Sequence, residues 1–152
     1  MATNEIVVFA VGERTVGVPA STVRELLRAV ALTPLPGAPV GVSGVIDLRG
    51  TLVPVVDLSD RLGVSPRPLR AADQLLICDV TFGVVAVRAD RVIELRAARP
   101  DPVPAGADPD PLTRSLVRTE DGVIVICELS AFLAASDVAA LALAVAGLQA
   151  VG

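Results

Sequence analysis

Apolar residues in this chain come in short runs of strand length separated by polar or glycine-containing breaks. The pattern is clearest from Ser43 to Leu62, SGVIDLRGTLVPVVDLSDRL. Val45 and Ile46 precede the polar turn Leu48-Arg49-Gly50-Thr51, and Leu52, Val53, Val55 and Val56 follow it, which predicts a β-hairpin. Leu58 to Gly63 then predicts a single helical turn, with Leu58 and Leu62 four apart and a glycine where a helix stops. Further runs of the same kind occur at Ile6 to Phe9, Leu75 to Cys78 and Val123 to Cys127.

The runs repeat. At an offset of 69, Ile6-Val7-Val8-Phe9 falls on Leu75-Leu76-Ile77-Cys78, and VPASTVREL from Val18 falls on VRADRVIEL from Val87, without a gap. At an offset of 71, LVPVVDLSDRL from Leu52 falls on VIVICELSAFL from Val123, matching Asp57 to Glu128 and Leu62 to Leu133. The two extra residues are expected in the second hairpin turn, at Asp121-Gly122. Two similar halves follow, residues 4–66 and 73–134, divided at the proline- and arginine-rich join Ser65 to Arg70. Short strands in halves of this size are best satisfied by small barrels, which close the edges that an open sheet would expose. The expected fold is mainly β, with two similar five-stranded barrels inside a single domain, 1–152.

Composition fills in the core and removes chemistry. The chain has 152 residues, of which 53% are hydrophobic, with three Phe, no Trp and no Tyr, so the core is aliphatic. There is no His, and all 13 basic residues are Arg. A Walker phosphate loop lacks its Lys, a Ser-His-Asp triad lacks its His, and no histidine is present to accept a phosphoryl group. Cys78 and Cys127 without His make a poor metal site, so neither a metal nor a cofactor is expected. Both lie in apolar runs and read as packing residues kept as thiols in a reducing compartment. A net charge of −4 with interspersed signs gives no basic stripe, which argues against nucleic acid. The first residues lack the basic region of a secretory signal, which points to the cytosol.

The stretch GVIDLRGTLVPVVDLSDRLG resembles the signature region of CheW-like domains, the coupling modules of bacterial chemosensory arrays. Gly44, Leu48-Arg49-Gly50, Pro54, Asp57-Leu58 and Leu62-Gly63 carry the likeness at fixed spacings, and VREL from Val23 and LPGAP from Leu35 extend it upstream. The resemblance implies two five-stranded SH3-like barrels packed together, with short helical turns and a C-terminal helix. It implies an adaptor without catalysis of its own, cytoplasmic at receptor arrays, whose partners are the cytoplasmic tip of a chemoreceptor and the regulatory domain of a CheA-type histidine kinase. An adaptor of a dedicated motility or developmental pathway, or a divergent copy competing for array positions, is the alternative. An enzyme or small-molecule sensor lacks any cluster of titratable groups to support it.

The family positions for receptor binding match Val23, Glu25, Gly44 and Arg49 here. Gly44 also reads as relief of backbone strain at a strand end, and Glu25 with Arg49 also reads as an intramolecular salt bridge; both roles are compatible. Asp57 reads as a cap for the turn after it. Asp47 stands where the motif more often has asparagine, which adds a negative charge beside Arg49. Thr22 to Val30 has the spacing of a capped helix, yet its copy from Arg91 is less helical and the resemblance gives a strand, so a strand is expected. Residues 99–110, with four prolines, are expected to form a surface loop that departs from the family pattern. The Ala-rich tail, 136–151, predicts a helix too short in its apolar run to cross a membrane. Its apolar surface leaves open a contact with a partner or a membrane surface.

Overall fold

The computed structural model describes residues 4–102 and 111–151. Eleven strands and one helix follow in chain order: β1 Asn4–Val11, β2 Arg14–Pro19, β3 Val23–Arg28, β4 Val42–Leu48, β5 Thr51–Val56, β6 Gln74–Val80, β7 Gly83–Ala89, β8 Arg91–Ala98, β9 Asp101–Pro102, β10 Thr113–Thr119, β11 Gly122–Cys127 and α1 Ala135–Val151. Single 3-10 turns occupy Ala20–Thr22, Asp60–Leu62 and Leu129–Ala131. The second of these ends at Gly63, whose φ of 71° is the left-handed conformation that stops a helix. Thr22 closes the first turn and β3 follows directly, so the capping-box spacing does not make a helix there.

The strands form two sheets, ordered β8-β1-β2-β11-β10-β9 and β3-β6-β7-β5-β4. Without the two-residue β9, the orders are the same once each strand is replaced by its repeat partner. The registers repeat as well. Val7 pairs with Val18 as Leu76 pairs with Val87, and Ile126 pairs with Gly17 in parallel as Val55 pairs with Ala86. Even the bulges recur, between Val42 and Gly44 and between Thr113 and Ser115.

Two expectations are corrected by this topology. The segments 4–66 and 73–134 are the units of the duplication but not of the barrels, because β1 and β2 join β8, β10 and β11, while β6 and β7 join β3, β4 and β5. The reason is the shortness of the links. Asp90 alone separates β7 from β8, and one residue cannot reverse a chain, so β8 runs on into the other barrel. Ala20–Thr22 carries β3 across in the same way. The two extra residues are also not in the hairpin turn. The turns Arg49-Gly50 and Glu120-Asp121 are equally long, and the offset of 71 already holds at Val42 and Thr113. The insertion lies between β8 and β10, in the proline-rich stretch. That stretch begins with β9 on the edge of β10, where a proline is tolerated, and 103–110 lie outside the described residues.

Strand alternation divides the apolar residues into three cores. Ile6, Val8, Val117, Ile124 and Ile126 fill one barrel; Ile46, Val53, Val55, Leu75 and Ile77 fill the other. The largest core lies between them, where Phe9, Val16 and Val18 from one sheet meet Leu76, Cys78, Val85 and Val87 from the other. α1 seals this core with Leu141 buried and Val138, Val145 and Leu148 packed against it. No helix among the described residues is long and apolar enough to cross a membrane.

Both cysteines are buried in the inter-barrel core. Burial, with Asp79 nearby, pushes the Cys78 thiol up to about 12, so it carries no thiolate near neutral pH. Cys78→Val and Cys127→Val are expected to cost less than about 1.5 kcal/mol each and to leave partner binding intact, since the repeat places Phe9 and Val56 at these positions. Urea unfolding and a binding assay on the variants check this.

Candidate functional site

β3 and β4 are the two edges of the second sheet, and the candidate residues lie along the seam between them. The seam is partly zipped by backbone. Thr33 N–H donates to the Val45 carbonyl and Val45 N–H to the Thr33 carbonyl, both at 2.8 Å. Gly44 is required at this crossing, because a methyl group on it would be driven into the Thr33 carbonyl oxygen and would also press on Leu32. Gly44→Ala is expected to destabilise the fold by about 1–3 kcal/mol through this overpacking, read as a lowered Tm.

Further along the seam, Arg49 reaches from the β4–β5 turn to Glu25 on β3. Nη2 donates to Oε2 at 2.7 Å and Nη1 to Oε1 at 3.3 Å, a two-pronged pair. The Arg49 side chain is 70% exposed and that of Glu25 33%. The hydrogen bond from Arg49 holds the Glu25 carboxyl below its ordinary range, and the same bond raises the guanidinium. The sequence reading of a salt bridge is therefore correct, and enough of Arg49 stays in solvent for a partner to reach it.

The turn is built to present this side chain. Leu48 pairs with Thr51, leaving Arg49 and Gly50 as a two-residue loop with φ of 51° and 88°, both left-handed as the tightest hairpins require. Arg49 is the single non-glycine residue with positive φ among the described residues, a conformation that costs about 1–2 kcal/mol without glycine. Asp47 Oδ1 accepts the Gly50 N–H at 2.7 Å. The residue read as an added charge thus also ties the turn, a bond an asparagine would make equally. Val23 stands two residues before Glu25, half-buried against the inter-barrel core and paired with Cys78. Val23, Glu25, Gly44 and Arg49 are all on β3, β4 and the turn after β4.

The other barrel lacks this pair. Glu94 and Glu120 take the places of Glu25 and Arg49, and Glu94 instead lies 3.7 Å from Arg96 on its own strand. Two barrels of the same strand order thus carry this pair at one seam and not at the other.

A second constellation is absent from the sequence reading. Arg88 on β7 is 2% exposed, with Asp57 at 3.7 Å, Asp73 at 3.8 Å and Asp90 at 3.5 Å. It donates to Ser59 Oγ at 3.2 Å, while Nε and Nη1 are buried without a hydrogen bond. Arg67 holds both Asp73 oxygens, at 2.8 and 2.7 Å, and Asp90 at 2.9 Å. Asp57 accepts the Ser59 N–H at 2.9 Å, as the cap reading expects, and adds its charge to Arg88. Burial opposes ionisation of Asp73, yet the bonds from Arg67 and the Arg70 N–H outweigh it and lower its pKa. The one signal in sequence is an arginine closing the apolar run Val84 to Val87. With every carboxylate paired, this cluster offers no free acid, base or nucleophile, and no group of metal-type ligands occurs among the described residues.

The model of the CheW-like domain matches residues 5–137. The chain is 31% identical over 131 residues to the chemotaxis protein CheW of Rhizobium meliloti, covering 83% of this chain and 84% of that protein. It is 37% identical over 108 residues to the protein FrzA of Myxococcus xanthus, covering 69% and 68% of the two chains. The solved structure of the scaffolding protein TtCheW from Thermoanaerobacter tengcongensis superposes with a TM-score of 0.74 at 26% identity, over 84% of this chain and 90% of that one. Matched in sequence over nearly its whole length and in its paired barrels, this chain belongs to the CheW-like domain family.

Proposed function

We propose that this protein is a non-catalytic adaptor that joins the cytoplasmic tip of a chemoreceptor to the regulatory domain of a CheA-type histidine kinase, in the cytoplasm at receptor arrays. The observation that carries this reading is the exposed Arg49–Glu25 pair, held on a constrained turn in one barrel and missing from its twin. Receptor binding is assigned to Val23, Glu25, Gly44 and Arg49, with Gly44 contributing through the shape it gives the seam. Exposed aliphatic residues of the other barrel, Ile93, Leu95 and Val123, suit a contact between barrel ends with the kinase. The likeness to FrzA favours a second reading, in which the same adaptor serves a dedicated motility or developmental pathway.

Pull-down with purified receptor and kinase regulatory fragments from the same cell tests the proposal. Both are expected to bind, and to bind together. Binding of neither defeats it, and the identity of the receptor retained separates the two readings.

A further inference from the structure

The connection that follows β3 and the linker between the repeats run side by side, joined where the Ala29 N–H donates to the Asp73 carbonyl at 3.0 Å. Between them opens a groove of about 450 Å³. Its walls are Val30, Leu32, Pro68 and Leu69, and Arg70 stands among them. Leu32 and Leu69 rest on the core of the barrel behind, so the floor is anchored, while Val30 is 49% exposed.

The linker wall is rigid for a reason already described. Asp73 closes it with two backbone bonds to Arg70, in which Asp73 Oδ2 accepts the Arg70 N–H at 2.7 Å and the Arg70 carbonyl accepts the Asp73 N–H at 3.0 Å. Arg67 and Arg88 hold Asp73 from below. Buried ion pairs are a weak means of adding stability, and this one leaves two Arg88 donors unbonded. Their clear effect is to fix the shape of a surface linker, which preforms the groove and lowers the ordering cost of binding.

The groove's charge selects its occupant. In a chain of net charge −4, the guanidinium group of Arg70 has no ion-pair partner among the described residues. Apolar walls beside an unpaired guanidinium fit an aliphatic chain next to a carboxylate. We propose that this groove docks a segment of a protein partner that presents an aliphatic side chain beside a carboxylate. Glu25 and Ala29 are four residues apart, roughly 13 Å along a strand. The groove therefore lies away from the Arg49–Glu25 pair, sharing with the seam Leu32, which packs near Gly44, and the proposal does not rest on the receptor reading.

Isocaproate, an isopentyl group with a carboxylate, is the probe, titrated into the isotope-labelled full chain and followed by backbone amide shifts. Saturable shifts are expected at Val30 to Leu32 and Leu69 to Ala71, and the neutral isocaproamide should bind at least about tenfold more weakly. Arg70→Glu should abolish the isocaproate shifts, and the milder Arg70→Gln should reduce them, with the remaining spectrum and receptor binding unchanged. No saturable shift in the groove, equal binding of acid and amide, or an unaffected Arg70→Glu variant each overturns the proposal. So does a dimer in sedimentation that Arg70→Glu dissociates, since the groove would then serve a second copy of this chain.

Discussion

Arg49→Ala is expected to weaken receptor binding by at least about thirtyfold while leaving Tm nearly unchanged. The fold loses little, because the pair with Glu25 is exposed, and exposed pairs are largely screened by solvent. The strain of the left-handed turn stays with the backbone, since alanine needs the same positive φ that Arg49 adopts. The interface loses more. Arginines held in place at an interface are among the side chains whose truncation costs most, because the fork brings several donors to one geometry. Arg49 is held by Glu25 through two donors and keeps others for the partner. Kinase binding should survive, as that contact is assigned to other faces. Titration calorimetry with receptor and kinase fragments, beside a thermal melt, reads all three outcomes. Receptor binding like that of the wild type, or an unfolded variant, would falsify the receptor assignment.

The largest effect on stability is expected from Asp73→Ala. The carboxylate is 3% exposed and receives Arg67, the Arg70 N–H and the field of Arg88. Its removal leaves two guanidinium groups, one of them fully enclosed, against Asp57 and Asp90 alone. Breaking a buried pair from one side costs about 3–5 kcal/mol, far beyond the cost of a surface change. Urea unfolding should show a lowered midpoint with a similar slope. The wild type should show the same dependence through pH. The Asp73 pKa is lowered from an unfolded value near 3.8, so the folded state binds this proton less readily than the unfolded chain does. Its contribution is complete above that value and is lost as pH falls through the lower, folded pKa. Asp73→Ala should therefore be less acid-sensitive than the wild type below pH 4. An equal acid sensitivity of the two proteins would show that other carboxylates govern this range.

Strand positions, the duplication and its equivalences were legible in the sequence because they are local. Alternation of apolar residues sets which face of a strand is buried, and glycines mark its ends, so β1, β4, β5, β6, β11 and the hairpin at Arg49-Gly50 could be read from the chain alone, whereas β3 carries a helical spacing that the resemblance and its copy in the second repeat overrode. The C-terminal helix was legible for the same reason. Val23, Glu25, Gly44 and Arg49 were drawn together by family resemblance, and pairing of the long charged side chains was a sound reading of their chemistry. Tertiary structure decided what depends on contacts between distant segments. Which hairpin completes which barrel turns on the one-residue link at Asp90, and both assignments satisfy the same apolar pattern. Arg67 and Asp73 look like ordinary surface charges in sequence, and Arg88 shows only as an arginine closing an apolar run, since nothing local to them shows that the linker folds over β7 and removes them from water. The need for Gly44 likewise comes from Thr33, eleven residues earlier, whose carbonyl meets it only once the seam has closed.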